Sequence, residues 1–332
     1  MGVGLPVSVL NLAPIREGQT AKDAIEAMVR LARETEKLGY LRYWIAEHHN
    51  APALASTATV ILIKHVLENT ERIRVGSGGI MLPNHSPLIV AEQFGTLAVL
   101  YPGRVDLGLG RAPGTDMQTA NAIRRSRHEA VYMFPEEVRD LLQYFGPEEA
   151  QGYVRAYPAP GTRVPLYILG SSTESAVLAA DLGLPYAFAA HFAPEQFEEA
   201  VYIYRNRFKP SEYLESPYMI AGLNVTVADT DEEAGYLFTT SLQFSLNVVR
   251  GRSQLLKPPV EDMDALWSPM EKMAVMMKLR MAVMGGKASV REQLGKFQEM
   301  YGVDEIMAVT YIFDEEKQVR SYALLKEIAD SL

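Results

Sequence analysis

The chain has 332 residues, 48% of them hydrophobic and 22% charged, a balance that fits a globular protein with a sizeable core and excludes a disordered one. Lys and Arg number 32 against 41 Asp and Glu, and the resulting net charge of −9 would repel a polyphosphate backbone, so nucleic acid is not an expected partner. There is no cysteine, which excludes disulfides, thiolate metal sites and cysteine nucleophiles and leaves His, carboxylates, hydroxyls or a cofactor to carry chemistry.

In chain order, the opening Met1-Gly2-Val3-Gly4-Leu5-Pro6 has neither the basic nor the apolar region of a signal peptide. No apolar run approaches the roughly 18 residues that span a bilayer, so a cytoplasmic protein without membrane contact is expected. Short β-branched or aromatic runs predict strands at Leu5–Leu12, Tyr43–Ala46, Ile73–Leu82, Val105–Gly110, Pro165–Leu169, Tyr186–Ala190, Met219–Ala228 and Glu305–Phe313. Helical periodicity fills the gaps. After Thr20 as N-cap, Ala24, Met28, Leu31, Thr35 and Leu38 share one face, and Gly39 ends the helix. Pro87 opens a helix continued by Ala91, Phe94 and Ala98; Val290, Leu294, Phe297 and Tyr301 line another; the last runs from Glu315 to about Ser331. Eight strands separated by helices predict a (β/α)8 TIM barrel, one domain over residues 1–332, with excursions at 112–164 and 229–304 near the C-terminal face of the strands.

A barrel of this kind works at the C-terminal ends of its strands. Those ends carry Glu47-His48-His49, Arg111, Gly170-Ser171-Ser172 and His191. Successive side chains alternate in direction, so one of the adjacent histidines points inward. A metal site is the rival reading, but three consecutive residues do not make a ligand set and His191 would have to complete it. His65, His85 and His128 read as structural histidines. Gly108 to Gly114 misses the dinucleotide spacing, and Gly285-Gly286-Lys287 reads as a turn before a helix at Ser289. With Ser172 as N-cap and Ser175 at the third helical position, the next helix offers free amides and its positive dipole end to a phosphate, with Arg111 as the complementary cation; simple capping is the plainer alternative. Ser77-Gly78-Gly79 interrupts the third strand, as a bulge or as a close backbone approach to a flat ring. Met270, Met273, Met276, Met277, Met281 and Met284 read first as a core helix, with an adaptable apolar lid as the functional alternative. Arg124-Arg125-Ser126-Arg127 reads as a solvated face or a contact to a cofactor phosphate.

Together Glu47-His48-His49, Val75-Gly76-Ser77-Gly78-Gly79-Ile80-Met81-Leu82-Pro83, Gly103-Arg104-Val105-Asp106-Leu107-Gly108-Leu109-Gly110-Arg111 and Gly170-Ser171-Ser172 resemble the bacterial luciferase-like flavin monooxygenases, from the first strand to the last helix. The resemblance implies FMN at the barrel mouth, reduced by a separate flavin reductase, and oxygenation of a small to medium apolar substrate of aldehyde or alkane type with dioxygen. It implies His48 as the catalytic residue, and Glu47, Ser77, Gly78 and Gly79 against the flavin ring, with a non-prolyl cis peptide between the glycines. Arg111, Ser171, Ser172 and Ser175 would sit at the phosphate, His191 would line the substrate pocket, and the chain would form a homodimer. A deazaflavin-dependent hydride transferase and a non-catalytic flavin-binding protein are the alternatives.

Overall fold

A computed structural model describes residues 4–123 and 131–332. The basic run at 124–127 and His128 therefore lie outside the described residues. The strands are β1 (Val7–Asn11), β2 (Arg42–Ile45), β3 (Arg74–Met81), β4 (Val105–Gly110), β5 (Leu166–Gly170), β6 (Tyr186–Phe188), β7 (Met219–Val227), β8 (Val283–Gly285) and β9 (Glu305–Val309). All pair in parallel, and β1 through β7 together with β9 close on themselves as an eight-stranded barrel. The helices are α1 (Ala21–Lys37), α2 (Thr59–Glu68), α3 (Pro87–Leu100), α4 (Met117–Ile123), α5 (Phe134–Phe145), α6 (Thr173–Leu182), α7 (Phe197–Arg207), α8 (Asp231–Val249), α9 (Pro269–Lys278), α10 (Lys287–Tyr301) and α11 (Glu315–Ala329). This is the (β/α)8 architecture that the alternation of strand and helix predicts. No helix among the described residues is long and apolar enough to cross a membrane.

Local signals set the boundaries. Thr20 caps α1 in a reciprocal box with Asp23, and Gly39 follows the helix at φ +81°, a conformation that suits a residue without Cβ. Three short features depart from expectation. β8 pairs only with the outer end of β7, Val225 opposite Val283, and three residues are too few to give a readable period. α10 begins at Lys287 with Gly286 as its N-cap, two residues before the expected start at Ser289. The methionine helix is not core: Met270, Met273, Met276 and Met277 are exposed. Val275 and Leu279 instead pack α9 against Phe238 and Leu246 of α8, which leaves the methionine face outward.

Period-two alternation splits the sheet's side chains into two apolar layers. Val7, Val9, Tyr43, Ile45, Val75, Leu107 and Leu223 face the helices, while Leu10, Trp44, Ala46, Tyr167, Ile220 and Met307 fill the barrel. Burying such a side chain contributes about 1.5–3 kcal/mol. The N-terminal end of the barrel is closed by charge. Arg42 donates to Asp106 and Glu305, both at 2.9 Å, Arg74 Nε donates to Asp106 at 2.9 Å, and Tyr218 donates to Glu305 at 2.7 Å. Burial works against the Arg42 charge, but the two carboxylates outweigh it and hold the guanidinium's pKa above its ordinary value. The indole of Trp44 donates to the same Asp106 at 3.1 Å, which fixes the ring that floors the upper cavity.

Candidate active site

β2 sorts its own C-terminal residues. Arg42, Trp44 and Ala46 face the barrel interior, and past the end of β2 His48 lies near His191 while Glu47 and His49 bond to each other. Glu47 is 1% exposed, and its carboxylate collects four donors: His49 Nε2 at 2.8 Å, His85 Nε2 at 2.9 Å, the Met81 amide at 3.1 Å and Asn84 Nδ2 at 3.4 Å. Burial pushes the carboxyl upward, but the bonds from His49 and His85 prevail and bring its pKa to about 2. Glu47 thus ties the β2 loop to the end of β3. His85, which reads as a bystander in the sequence, is one of its partners; nothing local in the sequence marks a contact made across 38 positions. The Glu47-His49-His85 group holds together by hydrogen bonds, and no set of three His, Asp or Glu among the described residues is placed to hold a metal ion.

Two imidazoles stand at the mouth. The His48 amide donates to Ser56 O at 3.1 Å, and the His191 amide donates to Gly222 O at 2.7 Å. Asn224 Nδ2 donates to His191 O at 2.7 Å, so the His191 backbone is clamped on both sides. In each ring Nδ1 is buried without a hydrogen-bond partner. Burial lowers the His48 pKa, and it takes His191 down to about 4 against the opposing effect of the Gly222 backbone. Both rings are therefore neutral at neutral pH.

Glycines on β3 and β4 let the two strands and the barrel side chains pack closely. The peptide between Gly78 and Gly79 is cis and not prolyl, and the β3–β4 register shifts between Ser77 and Ile80. Ser77 is spent inside the sheet: its hydroxyl donates to Gly108 O at 2.8 Å and accepts from the Gly108 amide at 3.0 Å. A Cβ on Gly78 would lie 2.6 Å from Leu10 Cδ1 and 3.1 Å from Trp44 Cβ, so this glycine makes room for the barrel's own packing.

At the start of α6, Ser172 occupies the N-cap with its side chain uninvolved in backbone capping. The first-turn amides have found substitutes for an anion. Thr173 N donates to Gln196 Oε1 at 3.1 Å, and the Glu174 carboxylate bends back to Ser172 and to its own amide, bonds that lower its pKa. Arg111 is exposed and makes no hydrogen bond to a described residue, with its charge near Glu174. Ser171, next to Ser172 in the chain, is half-buried. Ser175 departs from the expected role: its hydroxyl donates to Ser172 O at 2.7 Å and meets Tyr186 Oη at 2.8 Å, turned from the seat toward β6. Gln196, which the sequence reading leaves unmentioned, is the side chain on the seat.

An eight-stranded parallel barrel with two imidazoles and a helix start at the C-terminal mouth has the layout of a barrel enzyme. The luciferase-like monooxygenase family matches residues 5–304, and the chain belongs to it. A luciferase-like monooxygenase of Escherichia coli (strain K12) is 46% identical over 325 residues, covering 98% of this chain and 97% of the relative. The uncharacterized protein YddN of Bacillus subtilis (strain 168) is 50% identical over 326 residues, covering 98% and 96%. The crystal structure of apo-MsnO8 matches with a TM-score of 0.87 at 35% identity, over 98% of both chains. The protein is a flavin-dependent monooxygenase of a small organic substrate.

Proposed function

We propose that the chain binds FMN across the barrel mouth and uses it, reduced by a separate flavin reductase in the cytoplasm, to oxygenate a small to medium apolar substrate of aldehyde or alkane type with dioxygen. The observation that carries this is the coexistence at one mouth of Arg111, exposed with its charge near the start of α6, and a half-buried His48 whose enclosed Nδ1 has no hydrogen-bond partner among the described residues. The fit is chemical as well as spatial. The Thr173 amide and the α6 dipole have recruited an amide oxygen and a carboxylate in place of an anion, which is what a phosphate seat does when its own side chains fill it.

When bound, the reduced flavin supplies the electrons that activate dioxygen. Arg111, Ser171 and Ser172 would hold its phosphate at the start of α6, where Gln196 and the Glu174 carboxylate accept from the first-turn amides. Ser175 fixes the turn through Ser172 O. Gly78 and Gly79 let the β3 backbone pack closely against Leu10, Trp44 and Gly108 beneath the ring, Ser77 holds the bulge against β4, and Glu47 sets the loop that carries His48. His48 takes or returns one proton through its imidazole, which burial keeps in the basic form. His191 lines the substrate side, and the apolar layer of Leu10, Trp44, Ile220 and Met307 keeps water out. One domain over residues 1–332 and a homodimer complete the reading.

Two measurements test it. Titration with FMN and with a deazaflavin, followed by tryptophan fluorescence, is expected to give saturable binding of FMN alone. Protein loaded anaerobically with reduced FMN is then mixed with oxygenated buffer, and reoxidation slower than that of free reduced FMN is the expected result. Deazaflavin binding, or reoxidation at the free rate, would overturn the proposal.

A further inference from the structure

Buried tyrosines elsewhere in this chain spend their hydroxyls on the protein. Tyr40, Tyr43 and Tyr204 donate to the backbone carbonyls of Tyr322, Met28 and Leu184, and Tyr167 and Tyr186 meet Arg42 and Ser175. Tyr311 departs from that pattern. It is 7% exposed, yet its hydroxyl has no hydrogen-bond partner among the described residues. The oxygen is not sealed in the interior, as Nδ1 of His48 and Nδ1 of His191 are; it reaches solvent-accessible space.

The surroundings place that opening at the C-terminal mouth. Tyr311 follows the end of β9 at Val309, and its ring belongs with Met307 and Val309 to the layer that fills the barrel. It stacks on Phe244 of α8, with ring centroids 4.4 Å apart and planes 24° from parallel. Phe244, Leu54 and Leu169 pack on the same layer while staying half-buried, so apolar surface is left uncovered beside the hydroxyl. The backbone is held from three directions. Ser241 Oγ donates to Tyr311 O at 3.3 Å, Gln318 Nε2 to Thr310 O at 2.7 Å, and Nε of the buried Arg16 to Phe313 O at 2.6 Å. Clamped chain and stacked ring set the hydroxyl in place while its own bond stays unmade.

Burial pushes the phenol's pKa up, so the group keeps its proton at neutral pH. An unmade bond beside an apolar layer costs free energy, and a ligand oxygen that accepts the proton recovers it. An alkane has no such atom. A carbonyl oxygen accepts without asking for a donor in return.

We propose that Tyr311 is a specificity-determining residue whose hydroxyl donates to the carbonyl oxygen of the substrate, so that the site takes aldehydes and ketones in preference to alkanes. This rests on the monooxygenase reading for the word substrate, and it selects the carbonyl side of the aldehyde-or-alkane expectation. His48 keeps the proton transfer.

The test uses 2-octanone, a carbonyl probe that resists the hydration aldehydes undergo, and 2-methyl-1-octene, in which a CH2 group replaces the oxygen. Both are titrated into the full chain, with and without oxidised FMN, and followed by tryptophan fluorescence. Tyr311→Phe is expected to weaken 2-octanone binding about fivefold and to leave 2-methyl-1-octene and FMN unaffected. Infrared difference spectra are expected to show the carbonyl band of the bound ketone at lower wavenumber in the wild type than in Tyr311→Phe. The thermal midpoint of the ligand-free variant is expected to match the wild type, because no bond within the protein is lost. A carbonyl band at the same position in both proteins, an equal loss of affinity for both probes, binding of neither probe by the wild type, a lowered midpoint, or lost FMN affinity with 2-octanone binding intact would overturn the proposal. The expected pattern in a chain that binds no FMN would sustain it and remove the flavin reading instead.

Discussion

Replacing Glu47 by Gln removes one charge and almost no volume at the point where three segments meet. The carboxylate accepts from His49, His85, Asn84 and the Met81 amide, and an amide oxygen cannot serve all of them while its own NH2 faces more donors. The folded-state pKa of about 2, against an ordinary 4.5, differs by roughly 2.5 units, and at about 1.36 kcal/mol per unit this corresponds to about 3 kcal/mol of stability at neutral pH. The group is 1% exposed, so solvent screening takes little from that figure. Because the folded pKa is depressed, the unfolded chain binds more protons on the acid side; the contribution is complete above pH 4.5 and is lost as pH falls through about 2. Urea unfolding followed by tryptophan fluorescence is expected to show Glu47→Gln destabilised by about 3 kcal/mol at pH 7, the gap narrowing by roughly 1 kcal/mol by pH 3.5. A variant within about 0.5 kcal/mol of the wild type at pH 7, or a gap that does not change with pH, would refute the view that the charge itself holds these loops.

Other substitutions separate binding from chemistry. Arg111→Ala is expected to weaken FMN binding by about tenfold, the scale of one charge-assisted bond, and Glu174→Gln to tighten it severalfold by removing the carboxylate now folded over the helix end; fluorescence titration of both variants checks the pair, and an unchanged dissociation constant in Arg111→Ala places the phosphate elsewhere. His48→Ala is expected to keep FMN affinity while turnover with a reductase falls by about a hundredfold or more, and steady-state oxygen consumption coupled to product formation reads the difference. Gly78→Val is expected to lose folded protein rather than to hinder the flavin selectively, because the new side chain meets Leu10 and Trp44 first; a variant with normal thermal stability and weakened FMN binding would contradict this.

How far the sequence reveals the protein depends on how local each determinant is. The eight barrel strands are legible because a parallel strand covered on both faces reads as a short apolar run, and the helices because Thr20, Pro87 and Gly39 punctuate them. Alternation along β2 also separates His48 from its neighbours before any coordinates exist. The partner of Glu47 is not legible, since His85 arrives from beyond β3 and no local pattern announces it. The methionine helix misleads for a related reason. Helical spacing defines a face without saying which way it looks, and Val275 and Leu279 take the inward side. Ser175 misleads because its spacing from the N-cap suits an anion, whereas Tyr186 on β6, joined only by the fold, turns the hydroxyl away.

The two ends of the barrel make the final distinction. At the N-terminal end Arg42, Arg74, Asp106, Glu305, Tyr218 and the Trp44 indole satisfy one another, and a completed network of that kind has nothing left to offer a ligand. At the C-terminal end His48 and His191 each keep a buried nitrogen unpaired, Arg111 is exposed and makes no hydrogen bond to a described residue, and the start of α6 is met by Gln196 and Glu174. Orphaned buried oxygens occur elsewhere too, at Ser8, Gln151 and Gln298 for example, so the two ring nitrogens count only together with the other features of this mouth. Two unmatched imidazole nitrogens and an exposed guanidinium beside a helix start, over a floor held by satisfied polarity below, distinguish the end at which a barrel of this kind takes its ligands.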